Sequence, residues 1–266
     1  MKRQTFVELM VTGVLALGLQ PLTYAFQNLK DTNHDICKKV WDALCGDIGE
    51  TYKTDAFNYV APVKGKPNVL IYGDSISIMY SSTVMKILAG KANVIRLFKN
   101  GGSSKHFIPN MDRMNQTMFQ PNLEAGWNFK WDVIHFNVGL HDLKYLKGKH
   151  LNLNGEQVSS ISDYKLQLDA ICTYLRTNHP QATLIFATTT SVPKGAKGRK
   201  EGDSVVYNKA ALEVLSQYPV IEINDLYTFT KPHQKDWAQA AGNVHYNSLG
   251  SEEQGKAVAR VISEYL

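Results

Sequence analysis

The sequence predicts a doubly wound α/β domain, a parallel sheet of about five strands sandwiched between helices in three α/β/α layers. Two patterns point to it. Short apolar runs of strand length alternate with longer segments of helical period. The runs are apolar on both faces, as strands of a sheet covered on both sides must be. In chain order the strands fall at residues 68–72, 93–98, 132–138, 183–188 and 220–224. Helices are expected over 77–89, 161–178, 204–217 and 248–266, the last with Leu249, Val258, Val261, Ile262 and Tyr265 on one face. Two long loops remain, 101–130 and 195–202, of the kind in which such a sheet keeps its chemistry.

Composition agrees with a globular chain: 266 residues, 44% hydrophobic, with 19 Gly and 9 Pro that follow no period. Lys+Arg number 29 against 24 Asp+Glu, a formal charge of +5. The basic residues are scattered, which argues against a nucleic-acid partner.

The first 25 residues read as a secretory signal peptide. Lys2 and Arg3 precede an apolar stretch from Leu9 to Leu19, followed by Pro21 and the small-residue pattern ending at Ala25. That stretch is too short for a bilayer span, which takes about 20 residues, so the mature chain is expected to be periplasmic or secreted, without a stable membrane anchor. Residues 26–66 form a polar lead-in with a short helix through Ile36, Val40, Trp41 and Leu44, and the main domain occupies 67–266. Cys37 and Cys45 in the lead-in could bridge in an oxidising compartment or remain thiols on one helix. A straight helix would hold their Cα atoms about 12 Å apart, beyond disulfide reach. Cys172 lies on an apolar helix face and reads as a structural thiol.

The chemistry gathers at strand ends. After the first strand comes Gly73-Asp74-Ser75, a Ser at the carboxyl edge of a buried strand where a helix opens. A helix N-terminus offers N–H groups and a positive dipole end to a developing oxyanion. Ser75 is therefore a candidate nucleophile or, alternatively, a helix cap. Gly101-Gly102 follow the second strand, Gly139-Leu140-His141-Asp142 the third, and Asn243-Val244-His245 precede the last helix.

Together these four blocks resemble the SGNH hydrolases, the GDSL esterase and lipase family, over nearly all of 68–266. The resemblance implies a flavodoxin-like fold and a serine ester hydrolase without cofactor or metal. It assigns Ser75 as nucleophile, His245 as base, and the Ser75 and Gly102 N–H groups as oxyanion donors. Two positions depart from the family pattern. His141 stands where the family has Asn, so its ring N–H becomes the third donor, with Asn137 as understudy; the alternative is a structural His141 held by Asp142. Gly242 stands where the family has the Asp partner of the base, which leaves an oxygen at or near Asn243 to fix the His245 tautomer. Water would resolve the acyl-enzyme, and small acyl groups on carbohydrate are the expected substrate. An acyltransferase to a sugar hydroxyl and a non-catalytic binding protein are the alternatives.

Other candidates are weaker. His135, on the third strand, reads as a core histidine. His106, His141 and Asp142 show no metal-ligand spacing. Trp127, Phe129 and Trp131 could line a sugar-binding surface or pack the loop onto the sheet. Lys197, Arg199 and Lys200 read as a solvated loop that could attract an anionic substrate.

Overall fold

The computed structural model describes residues 35–46, 48, 53–120 and 127–266. The expected signal peptide lies outside them, as does part of the lead-in. Among the described residues no helix is long and apolar enough to cross a membrane.

The chain opens with helix α1 (residues 35–44) and then alternates strands and helices. Strand β1 (Asn68–Tyr72) leads to α2 (Ser75–Ile87), β2 (Asn93–Arg96) to α3 (Phe107–Met118), and β3 (Val133–Phe136) to a small antiparallel sheet of β4 (Tyr145–Lys147), β5 (His150–Leu151) and β6 (Glu156–Gln157). Then follow α4 (Ile161–Asn178), β7 (Thr183–Ala187), α5 (Asp203–Leu215), β8 (Ile221–Asn224), the short α6 (Leu226–Thr230) and α7 (Gln234–Trp237), and α8 (Ser248–Ser263).

The main sheet has five strands in the order β2-β1-β3-β7-β8, all parallel. Every residue of β1, β2 and β3 is buried, which explains their largely apolar pattern, broken by Asn68, Asn93, Arg96 and His135. Helix α2 packs on α8, and α4 packs on α5 and α3, forming the two outer layers. The order reverses between β1 and β3, so a crevice opens at the carboxyl ends of these two strands, where ligands of doubly wound sheets bind.

Three features depart from the sequence reading. The long loop after β2 contains α3, which buries Phe107, Met111, Met114 and Met118 at helical spacing. The β4–β6 sheet was not anticipated, because its two- and three-residue strands hold no buried residue and carry no period. Trp127 and Trp131 are core residues rather than a sugar-stacking surface. Each is 1% exposed, their rings meet edge to face at 5.9 Å, and Phe119 and Phe129 join the cluster. Trp41 of α1 packs on Trp127 at 5.5 Å and donates to Phe57 O, tying the lead-in into this core. Cys37 and Cys45 are not joined to each other, because α1 runs unbroken to residue 44. Burial pushes the Cys45 thiol up to about 12 and raises that of Cys172 likewise, so neither is a reactive thiolate.

Candidate active site

Gly73 and Asp74 link the end of β1 to α2, which begins at Ser75 itself. Asp74 is the helix cap: its Oδ1 accepts from Ile76 N at 2.9 Å. The capping task is thus filled by the neighbour, and the Ser75 hydroxyl is free for other contacts. Beneath the turn lies Arg96 of β2, fully buried, whose guanidinium donates to Gly73 O (3.0 Å), Asp74 O (3.2 Å), Ser77 Oγ (3.0 Å), Leu97 O (2.7 Å) and Lys99 O (2.7 Å). Five acceptors for one buried cation hold the turn rigidly. Sequence reasoning missed Arg96, although a lone charge inside an otherwise uncharged strand was a visible signal.

The loop between α7 and α8 brings His245 across to the same place. His245 Nε2 lies 2.9 Å from Ser75 Oγ, and its Nδ1 lies 2.9 Å from Asn243 Oδ1. The amide of Asn243 is oriented from both ends: Nδ2 donates to Gln239 Oε1 at 3.1 Å, while Oδ1 also accepts from His245 N at 3.0 Å. Nδ1 therefore carries the imidazole proton, and Nε2 presents its lone pair to the hydroxyl. Gly242, where an Asp partner would stand, has φ +69. A Cβ there would lie 3.0 Å from Gly195 O, so the backbone disfavours any side chain at this position.

The segment after β3 supplies the opposite wall. His141 Nδ1 meets Lys144 Nζ at 2.8 Å; its partner is this lysine and not Asp142. The Asp142 carboxylate instead accepts from Ser104 N (3.1 Å), Ser104 Oγ (2.5 Å) and Ser159 Oγ (2.8 Å), locking the segment that follows Gly102 to the end of β3. Burial raises the Asp142 pKa, and these donors oppose the rise. The Asn137 amide donates to Ala187 O at 2.7 Å, which bridges β3 and β7. Gly102 N donates to Asn100 Oδ1 at 3.0 Å, so that N–H reaches a ligand only by exchanging this partner. His135 is fully buried and accepts from Asn224 through Nε2 at 3.0 Å, as a core histidine does.

Desolvation dominates the electrostatics. It lowers the His245 pKa, with Arg199 and Lys144 lowering it further while Asp74 opposes them. His141 is pushed down to about 4 by burial, and Lys144 to about 8 by burial and Arg199. Both imidazoles are neutral near pH 7. Among the described residues no group of three or more His, Cys, Asp and Glu could hold a metal ion, and His106, His141 and Asp142 do not converge on one.

No protein-family model matches the sequence, and a search of curated proteins finds no match. Solved structures do match. A lipase/acylhydrolase from Enterococcus faecalis aligns over 74% of this chain and 96% of its own, with a TM-score of 0.56 at 17% identity. The chain shares the fold of this acylhydrolase. An acetyl xylan esterase, AlAXEase, aligns over 73% of this chain and 99% of its own, with a TM-score of 0.54 at 15% identity. A member of the lipolytic G-D-S-L family from Veillonella parvula covers 74% and 98% of the two chains, with a TM-score of 0.52 at 15% identity. In this fold the crevice at β1 and β3 holds Ser75, His245, Asn243 and His141, while Arg96 and Lys144 went unassigned in the sequence and Arg199 was read as a solvated loop charge that could attract an anionic substrate.

Proposed function

We propose that the chain is a serine ester hydrolase working through a Ser-His pair oriented by an amide oxygen. The contact that carries the proposal is Ser75 Oγ to His245 Nε2 at 2.9 Å, with Nδ1–H already directed at Asn243 Oδ1. Ser75 Oγ attacks the ester carbonyl as its proton passes to His245 Nε2; the imidazolium then protonates the departing alkoxide. Water, deprotonated by the same nitrogen, attacks the acyl-Ser75 and releases the acid. The oxyanion is received by the Ser75 N–H at the start of α2 and by His141 Nε2–H, with Gly102 N–H joining once it leaves Asn100. Asn137 and Asp142 support this wall without touching substrate.

The substrate is a small acyl group on carbohydrate, and the mature protein acts in the periplasm or outside the cell. The support is the leader-like first 25 residues and the acetyl xylan esterase among proteins of this fold. The test is hydrolysis of p-nitrophenyl acetate and butyrate by the wild type beside Ser75→Ala, with fluorophosphonate labelling. Turnover and labelling of Ser75 in the wild type alone are expected. A wild type that is inert on a broad ester panel and never labelled at Ser75 overturns the reading in favour of a binding protein. Diversion of the acyl group to added sugar acceptors would turn it into a transferase.

A further inference from the structure

We propose that the esterase site is built for an ester whose carbohydrate portion carries a carboxylate, and that Arg199 holds this anion; the inference rests on the hydrolase reading above. Arg199 is 9% exposed, yet its guanidinium has a single protein contact among the described residues, Nε to Leu140 O at 3.2 Å. Both Nη groups are left without a protein acceptor. Neither is sealed away from solvent, so both stay open to a ligand, and a planar cation with two parallel N–H donors suits a carboxylate.

The side chain is fixed in place, not carried on a loose loop. Its own N–H bonds Ala196 O at 3.2 Å, Gly198 O accepts from Tyr145 N at 2.8 Å, and Gly198 has φ +62. A Cβ on Gly198 would press to 2.7 Å from Leu151, so the loop rests directly on the β4–β5 hairpin. From there Nε bonds Leu140 O, next to His141, which sets the guanidinium beside the wall that carries His141 and Lys144; its charge acts on His245, His141 and Lys144 alike.

The nearby carboxylates do not neutralise it. Asp142 is committed to Ser104 and Ser159. Asp74 is felt by Arg199 but forms no pair with it, since Oδ1 caps α2 and Oδ2 has no partner. Lys144, beside His141, adds a second cation to the same wall. An anion bound there would sit next to the acyl group under attack.

The experiment uses a matched pair, O-acetylated methyl glucuronide and O-acetylated methyl glucoside, with acetate release measured for wild type, Arg199→Gln and Arg199→Lys. The wild type should favour the uronide in kcat/KM on the order of 10- to 100-fold. In Arg199→Gln that ratio should collapse toward one, and Arg199→Lys should retain part of it. Direct binding of unacylated methyl glucuronide and methyl glucoside to the wild type, by calorimetry, should show the same preference, weakened by salt. Equal affinity for the two sugars, or hydrolysis of both esters at one rate, overturns the anion subsite and leaves the esterase standing. Inertness toward both esters with selective uronide binding overturns the esterase and leaves the subsite.

Discussion

Lys144 Nζ lies 2.8 Å from His141 Nδ1, and this contact decides which nitrogen of the imidazole carries the proton. An ammonium only donates, so Nδ1 must accept and Nε2 must hold the hydrogen. With its tautomer fixed, the ring offers one N–H, as an amide would.

The lysine should leave its mark on the pH profile of kcat/KM with p-nitrophenyl acetate. His245 must be neutral to take the Ser75 proton, so activity rises as pH passes its pKa, which burial, Arg199 and Lys144 hold below the usual 6.5. At the alkaline end Lys144 gives up its proton near 8, and activity should fall as the hold on His141 weakens. Lys144→Met should have a lower plateau, no alkaline limb and an acid limb moved to higher pH, because one depressing charge on His245 is gone. An alkaline limb that survives in the variant would assign it to another group.

His141 itself can be tested by a pair of substitutions. With a pKa pushed down to about 4, it is neutral wherever His245 is active and should contribute no titration of its own. His141→Asn should retain much of the activity, since an amide N–H replaces the ring N–H. His141→Ala should lose on the order of 10²-fold in kcat, the scale for one oxyanion donor. Equal and negligible effects would leave the oxyanion to the backbone N–H groups alone.

Asn243 stands in for the missing carboxylate by geometry, not by charge. Asn243→Ala frees the His245 ring to rotate and to take the wrong tautomer, and kcat should fall by about 10²- to 10⁴-fold. Asn243→Asp keeps both acceptor contacts and adds a charge beside Nδ1, which raises the His245 pKa. Activity should then fall near pH 5 and hold or rise at pH 8. Gly242→Asp places a carboxylate where the sequence resemblance expects one but should not supply a partner, because φ +69 and the approach to Gly195 O oppose any Cβ. It should lower the melting temperature without raising kcat.

What the sequence revealed and what it hid follow from range. The strands were legible because most are short, largely apolar runs; β8 is the exception to the buried reading, since Glu222 and Ile223 are exposed. Ser75 and His245 were legible because they sit at fixed offsets from strand and helix ends. Helix α3 was hidden by its polar composition, although Phe107, Met111, Met114 and Met118 keep its period. Arg96 and Lys144 were hidden for another reason, and Arg199 was named only as a solvated loop charge that could attract an anion. Their roles depend on contacts with residues from distant segments or on a local fold that no spacing announces, such as Arg96 with Gly73 across β1 and β2. The Trp127 and Trp131 pair was legible as aromatic but ambiguous in direction, because the same side chains serve a core and a sugar platform equally well.

His135 gives the last prediction, on stability. It is fully buried on β3, and burial pushes its pKa down to about 3, against 6.5 for an unconstrained imidazole. Between those values the unfolded chain binds a proton that the folded chain does not, so folding stability rises with pH across this window and is lost as pH falls below 6.5. His141 acts in the same sense down to about 4. The melting temperature should therefore drop steadily from pH 7 to pH 4. His135→Gln, which keeps an acceptor for Asn224 and removes the titration, should start lower at pH 7 and fall less steeply. Parallel curves for the two proteins would mean that the acid lability arises from other groups, with Asp225, whose capping bonds to Thr188 and Thr228 hold its pKa below the usual value, the next to examine.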